Sequence, residues 1–182
     1  MAQLPFEKFD VVVGGLGLGY TAVAALRNPR VNTLMVVDLL APVIEWHQKE
    51  LVPLGATLNA DSRCRLQQGD FFAGAMGAEG WDPQEPGRKF HAILLDIDHS
   101  PDRLLAPQNG SFYSEEGLTK MAQHLLPGGV FALWSDDGPE EVFITHLANV
   151  FDDVQAHVIF FDNPILQTKS TGTVYHCRPK AN

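Results

Sequence analysis

The chain contains very little cysteine, with only Cys64 and Cys177 among its 182 residues and no C-x-x-C pair. A secreted disulfide framework or a cysteine zinc site needs more thiols than this. His47 and His146 lie in helical patterns without a second ligand four residues further on, so they do not predict a metal site either. We therefore expect a cytoplasmic protein that binds no metal.

Long apolar segments are also missing. The N-terminus has no basic region followed by an apolar run of roughly 7–15 residues, which a secretion signal requires. No uninterrupted apolar stretch approaches the roughly 18 residues of a membrane-spanning helix. The sequence therefore predicts neither export nor a membrane partner.

Positive charge is scarce, because Lys and Arg number 13 against 22 Asp and Glu, giving a net charge of -9. A nucleic-acid partner is not expected, since such binding depends on cationic side chains that neutralise phosphates. The acidic balance favours cationic small molecules instead. The sequence lacks G-K-[ST] after its glycine-rich turn, which excludes a phosphate-binding P-loop, and it lacks the G-x-S-x-G elbow of serine hydrolases.

Short β-branched runs alternate with segments of helical period, which is typical of a parallel sheet with helices on both faces. A turn-rich stretch around Asn163-Pro164 and residues 170–172 separates the last two runs, which predict a closing antiparallel pair. We therefore expect one α/β domain over residues 1–182, Rossmann-like, with a mostly parallel sheet of seven strands. The predicted strands are 9–14, 33–38, 64–70, 91–98, 129–136, 154–162 and 171–178. The predicted helices are 20–27, 42–51, one or two turns after Phe71, 115–125 and 140–150.

A glycine-rich turn, Gly14 to Gly19, joins the first strand to the first helix. Gly15, Gly17 and Gly19 form G-x-G-x-G rather than the dinucleotide fingerprint G-x-G-x-x-G, because Tyr20 stands where its last glycine would be. Such a turn lets a ligand approach the backbone next to a helix N-terminus. The alternative is a tight turn with only a structural role.

Acidic residues follow the next three strands. Asp38 ends the second strand, where a carboxylate can accept hydrogen bonds from ribose hydroxyls, and Asp70 ends the third, near an expected adenine amino group. The structural alternatives are an acid near a helix N-cap for Asp38 and a solvated turn for Asp70. Asp96 follows the buried fourth strand and predicts a group directed at the reacting atoms, with a loop organiser as the alternative. Because side chains alternate along a strand, Asp98 is expected on the same side as Asp96.

Six segments, in this order and spacing, resemble the spermidine synthase group of aminopropyltransferases, within the class I S-adenosylmethionine-dependent methyltransferase fold. They are VVVGGLGLG, VVD at Asp38, QGD at Asp70, ILLDID at Asp96, SFYSEEGL and LLPGGVFALW, and together they span roughly residues 9–160. The resemblance implies that the glycine turn and Asp38 hold decarboxylated S-adenosylmethionine, that Asp70 contacts its adenine, and that Asp96 helps deprotonate an attacking amine. Asp98 is then a helper that steers the cationic amine.

Three departures from the family pattern bear on the reaction. The glycine turn carries Leu16 and Leu18 and has no carboxylate, where the family usually reads G-G-G-D-G-G. The family's D-x-x-D-P is not matched, because His99 stands three residues after Asp96. The family's N-terminal β-rich domain, which covers the substrate and builds oligomers, is not in this chain, so we expect it to form a homo-oligomer or to bind long polyamines weakly.

Three functions are therefore open. The first is aminopropyl transfer from decarboxylated S-adenosylmethionine to a small-molecule amine. The second is methyl transfer from intact S-adenosylmethionine, for which the same strand ends would serve. The third is a non-catalytic nucleoside-binding or oligomerisation module. The carboxylate of the intact donor separates the first two, since acids near it would disfavour that donor.

Overall fold

A computed structural model of the chain describes residues 5–163 and 167–180. Within them, seven strands form one sheet in the order β3-β2-β1-β4-β5-β7-β6. Strands β1 to β5 pair in parallel, whereas β7 is antiparallel to β5 and to β6, which confirms the predicted architecture. The strands are β1 Phe9–Gly14, β2 Val31–Asp38, β3 Cys64–Gln68, β4 Phe90–Leu95, β5 Leu125–Ser135, β6 Phe151–Asn163 and β7 Thr168–Pro179.

Helices cover both faces of this sheet. They are α1 Tyr20–Leu26, α2 Ala41–Gln48, α3 Gly55–Ala60, α4 Phe71–Met76, α5 Glu115–Ala122 and α6 Glu141–Val150, with a short 3-10 helix at Pro107–Ser111. Ser114 caps α5 by accepting a hydrogen bond from the Gly117 amide, as its position before Glu115 and Glu116 predicts. None of the helices in the described ranges is long and apolar enough to cross a membrane.

The alternation of side chains along β1 divides the core into two layers. Val11 and Val13 pack on one face with α1, α2 and α3, whereas Val12 packs on the other face with Phe71, Leu118 and the aromatic side chains around them. All three valines are completely buried. A strand that is almost continuously apolar has to be covered on both sides, which is why β1 and β4 lie at the centre of the sheet.

Several predicted boundaries shift in the structure. The predicted helix over 42–51 ends at Gln48, and α3, which the sequence did not predict, follows it. Strand β4 ends at Leu95 rather than at residue 98, and β3 ends at Gln68. Strand β5 begins at Leu125, because Leu125 pairs with Phe90 before an irregularity in the register, so the predicted end of α5 belongs to a strand. Residues 170–172, expected as a turn, lie inside β7, and Pro164 lies outside the described residues.

A buried ion network lies at the opposite end of the sheet from the carboxyl ends of the strands. Asp82, only 3% exposed, pairs with Arg65 at 2.5 Å and with Arg88 at 3.0 Å. Arg88 also reaches Asp10 at the start of β1, at 3.4 Å. Against the effect of burial, hydrogen bonds from Thr33 and Asn32 and the charge of Arg88 hold the pKa of Asp10 below its usual range, and hydrogen bonds from Arg65 and Arg88 do the same for the pKa of Asp82. The network ties the 77–89 segment to the first strand.

Candidate functional site

A cavity of about 410 Å³ opens at the carboxyl ends of the parallel strands. The strand order reverses between β1 and β4, and ligands of open α/β sheets bind in the crevice outside such a reversal. The lining brings together Gly15, Gly17, Asp38, Asp70 and Asp96, five of the seven residues that the sequence singled out. Gly19 and Asp98 are not among the lining residues.

The glycine turn approaches the cavity through two glycines with different environments. Gly15 has φ +94° and lies against the backbone carbonyl of Asp96, which leaves no space for a Cβ. Gly17 has φ +46°, and no atom lies within 4 Å of the place where its Cβ would be. Gly15 therefore permits close packing of two strand ends, whereas Gly17 leaves an open cradle that faces the cavity.

Gly19 has a different role, because it lies just before α1 with φ +89° and faces the side chains of Leu58 and His47. His47 is completely buried, and its Nε2 lies 3.0 Å from the carbonyl oxygen of Gly17. Since a carbonyl only accepts, Nε2 carries the proton and donates. Helix α2 thus supports the glycine turn from behind.

Asp38 connects the ends of β1 and β2 through its carboxylate. Oδ2 accepts a hydrogen bond from the amide of Leu16 at 2.9 Å, and Oδ1 accepts one from the amide of Leu40 at 2.8 Å. A carboxylate has about four acceptor positions, so each oxygen retains one for a ligand hydroxyl. The structural and the ligand-binding interpretations of Asp38 are therefore compatible.

Asp70 occupies the N-cap of α4, where its Oδ1 accepts a hydrogen bond from the Ala73 amide at 3.1 Å. No described residue bonds its other oxygen, and the side chain lines the cavity. The structural alternative for Asp70, a solvated turn, is in fact a helix cap. The second carboxylate oxygen of Asp70 can still accept a hydrogen bond from an amino group.

Asp96 is the first residue after β4 and is exposed at the cavity. Its amide donates to the Gly14 carbonyl at 2.8 Å, and the hydroxyl of Thr21 donates to its Oδ2 at 2.5 Å. Its backbone and its side chain are therefore both held by the glycine-turn segment, which leaves Oδ1 directed to bulk solvent or to a ligand.

Asp98 is 5% exposed and lies beneath the following loop. Its carboxylate accepts hydrogen bonds from the Leu105 amide at 2.7 Å, the Tyr113 hydroxyl at 2.8 Å and the Asn109 side chain at 3.0 Å. The expectation that strand alternation places it beside Asp96 was wrong, because β4 ends at Leu95 and both acids lie in irregular backbone. Asp98 therefore stabilises the loop that forms one wall of the cavity.

Apolar side chains supply most of the remaining lining. Leu39 and Leu40, directly after β2, are 62% and 56% exposed, and Leu105, in the loop after β4, is also 62% exposed. Exposed leucines that line a crevice offer apolar surface for a flat aromatic ring. Phe72 and Ile97 extend the same apolar surface.

Sequence reasoning missed several of these residues. Thr21 and the leucine pair after Asp38 could have been noticed, since they lie beside residues that were selected. His47 gives no local signal, because its contact with Gly17 spans 30 positions in the sequence.

A second polar cluster lies beside the cavity, where the loop after β4 meets the loop after β5. His99 contacts Asp136 at 2.9 Å, and Arg103 contacts Asp137 at 2.7 Å. Burial, with the nearby carboxylates of Asp102 and Asp137, raises the pKa of Glu140 to about 7. This cluster is rich in acids.

No model of a known protein family matches the sequence. Solved structures do match it. A spermidine synthase from Thermotoga maritima superposes over 98% of this chain with a TM-score of 0.69 and 17% identity, and this chain covers 55% of that protein. Human methyltransferase-like protein 13 in complex with SAH gives a TM-score of 0.66 and 16% identity over 96% of this chain and 73% of that one. The N-methyltransferase NodS from Bradyrhizobium japonicum WM9 in complex with S-adenosyl-l-homocysteine gives a TM-score of 0.60 and 12% identity, over 96% of this chain and 80% of that one.

These similarities establish the fold. The chain has the class I S-adenosylmethionine-dependent methyltransferase fold, a Rossmann-like sheet with a C-terminal antiparallel pair. It spans about half the length of the spermidine synthase that it matches.

Proposed function

We propose that this protein is a transferase that uses an S-adenosyl sulfonium donor, and that it transfers an aminopropyl group from decarboxylated S-adenosylmethionine to a small-molecule amine. One observation carries the proposal: Gly17, Asp38, Asp70 and Asp96 surround a single cavity at the strand-order reversal. These positions are the ones that the resemblance to spermidine synthases assigns to donor and amine. The structural neighbours named above include both an aminopropyltransferase and methyltransferases.

The residues around the cavity fit an adenosyl group. The open space at Gly17 provides a cradle for backbone contact, and Asp38 retains acceptor positions for two ribose hydroxyls. Asp70 has a free oxygen for the adenine amino group, while Leu39, Leu40 and Leu105 provide apolar surfaces for its ring. The donor would supply a carbon activated by the adjacent positive sulfur, which leaves as a neutral thioether.

Asp96 would be the proton acceptor. A protonated amine has no free electron pair, so the attacking nitrogen must be neutral and must lose a proton as its new bond to carbon forms. Thr21 and the Gly14 carbonyl hold Asp96 in place, so its carboxylate can both attract the cationic amine and receive that proton. Asp98 would act through the loop that it holds rather than by contact with the amine.

Methyl transfer is the second candidate, and the glycine turn favours it. The glycine turn contains no carboxylate that could repel the carboxylate of intact S-adenosylmethionine. Its Leu16 side chain is buried among α1, α2 and α3, and the Leu16 amide donates to Asp38. Discrimination between the two donors would then have to come from elsewhere in the site.

Calorimetry with the two donors and with 5′-methylthioadenosine tests the proposal. We expect binding of all three adenosyl compounds, tighter binding of the decarboxylated donor than of the intact one, and product formation with an amine. The Asp96→Asn variant should lower turnover by roughly 10²–10⁴-fold with little change in donor affinity, the usual range for a general base. Asp152→Asn, on the exposed part of β6, is the matched control and should behave as wild type.

The other results are equally informative. Reaction of a methyl acceptor while every amine is inert would move the assignment to a methyltransferase. Binding without turnover of either kind would support the non-catalytic module, and tighter binding of NAD than of any adenosyl thioether would reject the donor class.

A further inference from the structure

His47 combines complete burial with incomplete hydrogen bonding. Its Nε2 donates to the carbonyl of Gly17, but its Nδ1 has no hydrogen-bond partner among the described residues. With the proton on Nε2, Nδ1 is a buried acceptor that receives no hydrogen bond from the described residues. A buried polar atom left in this way destabilises the fold.

The surroundings of His47 hold it against the glycine turn. The Asn59 side chain donates to the backbone carbonyl of His47 at 2.9 Å, and the chain at Gly55 packs against the same carbonyl. On the ring side, Cε1 lies next to Gly19, where a Cβ would come within 3.0 Å of it. Helix α3 therefore holds the backbone of His47, and the ring packs against the glycine turn.

The partner of His47 is the part of the turn that matters for a ligand. Gly17 lines the cavity, has a left-handed backbone conformation, and has no atom within 4 Å of its missing side chain. Within the described residues, the imidazole is the side chain that bonds its carbonyl. A glycine in open space has many accessible backbone conformations, so a hydrogen bond from a rigid group selects one of them.

We propose that His47 is a positioning residue of the donor site, retained because it holds the Gly17 peptide in the orientation that an adenosyl ligand requires, at a cost to the stability of the fold. This inference rests on the proposed function, since it assumes that the ligand of the turn is an adenosyl compound. It predicts opposite effects on stability and on affinity, because removing the imidazole abolishes both the unsatisfied Nδ1 and the bond to Gly17. A residue with only a packing role would change stability and leave affinity unchanged.

The test compares His47→Leu with His47→Gln in the full chain. Leucine fills the buried space without polar atoms, whereas the glutamine amide nitrogen occupies about the position of Nε2 and can donate to Gly17. We expect His47→Leu to keep or raise the midpoint of urea unfolding while it weakens binding of 5′-methylthioadenosine by about 5- to 30-fold in calorimetry. We expect His47→Gln to recover most of that affinity.

The outcomes separate this inference from the proposed function. If the wild-type chain binds no adenosyl compound, the proposed function fails. If the wild type binds and His47→Leu binds equally well, the proposed function stands and the positioning role of His47 is refuted. Loss of stability and affinity together in His47→Leu, without recovery in His47→Gln, would show a packing role and also overturn the proposal.

Discussion

Replacing Asp38 with asparagine tests the central contact of the donor site. The carboxylate accepts two backbone hydrogen bonds, at 2.9 Å and 2.8 Å, from amides on different segments. Asparagine has one acceptor oxygen, so one of these amides would face the donor NH₂ group instead. Loss of a hydrogen bond to a charged group costs roughly 1.5–3 kcal/mol, and we expect about this decrease in the free energy of unfolding.

The same substitution should weaken ligand binding. The neutral amide offers the ribose at most one acceptor and no charge, which removes a further 1.5–3 kcal/mol or so of binding free energy. At about 1.4 kcal/mol for each factor of ten, the Kd of 5′-methylthioadenosine should rise roughly 10- to 150-fold. Urea unfolding and calorimetry measure the two effects separately, and Asp152→Asn serves as the control. An Asp38→Asn protein with wild-type stability and wild-type affinity would refute both roles.

Three further predictions concern other parts of the molecule. Burial raises the pKa of the Glu140 carboxyl group to about 7 from 4.5. The stabilisation of the fold by the protonated group is therefore complete below about pH 4.5 and is lost as the pH rises through 7. In thermal unfolding, Glu140→Gln should therefore stabilise the protein at pH 8 by about 1–2 kcal/mol and should have no such effect at pH 4. The expected gain is smaller than the full pKa shift implies, because the carboxyl group is partly exposed to solvent. Asp82→Leu should destabilise by about 3–5 kcal/mol, since it removes the carboxylate that pairs with Arg65 and leaves Arg88 with only its longer ion pairs to Asp10 and Glu85. Asp82→Asn keeps one acceptor oxygen for these guanidinium groups and should cost less in urea unfolding; equal costs would contradict a contribution from those hydrogen bonds. The expected self-association should involve the outer half of edge strand β6, where Val158–Phe161 are 40–66% exposed. Phe160→Lys should therefore shift sedimentation towards the monomer. A wild-type protein that is already monomeric at high concentration would contradict this prediction.

The parts of the fold that could be predicted are those with strong local patterns. Buried parallel strands are almost continuously apolar, so β1 and β4 were located to within a few residues, and the glycines and acids at their ends followed from the topology. Helix α3 was missed because its six residues begin with Gly55 and bury only one large side chain, Leu58. The predicted start of β5 was wrong because Leu125 fits the helical period of α5, whereas in the structure it pairs with Phe90 of β4.

The site shows the same division between local and long-range information. The strand-end acids could be selected from sequence, but the difference between Asp96 and Asp98 depends on where β4 ends. An exposed carboxylate held by Thr21 and a buried one that accepts bonds from Leu105, Asn109 and Tyr113 look alike in the motif DID. Only the tertiary contacts separate them.

The attachment of Asp96 to the glycine turn has a consequence for how this site could change its substrate. Its amide, its carbonyl and its side chain all touch the segment from Gly14 to Thr21, so a substitution at Asp96 that differs in size from the isosteric asparagine would also shift the glycine turn. The neighbouring loops are built differently, since His99 and Arg103 bond to Asp136 and Asp137 and not to the glycine turn. Under the proposed function, mutations at residues 99–104 and 136–140 would reshape the acceptor side without contacting the donor. A laboratory selection for new acceptors should therefore accumulate its changes at these positions and should leave Asp96 and the glycine turn intact.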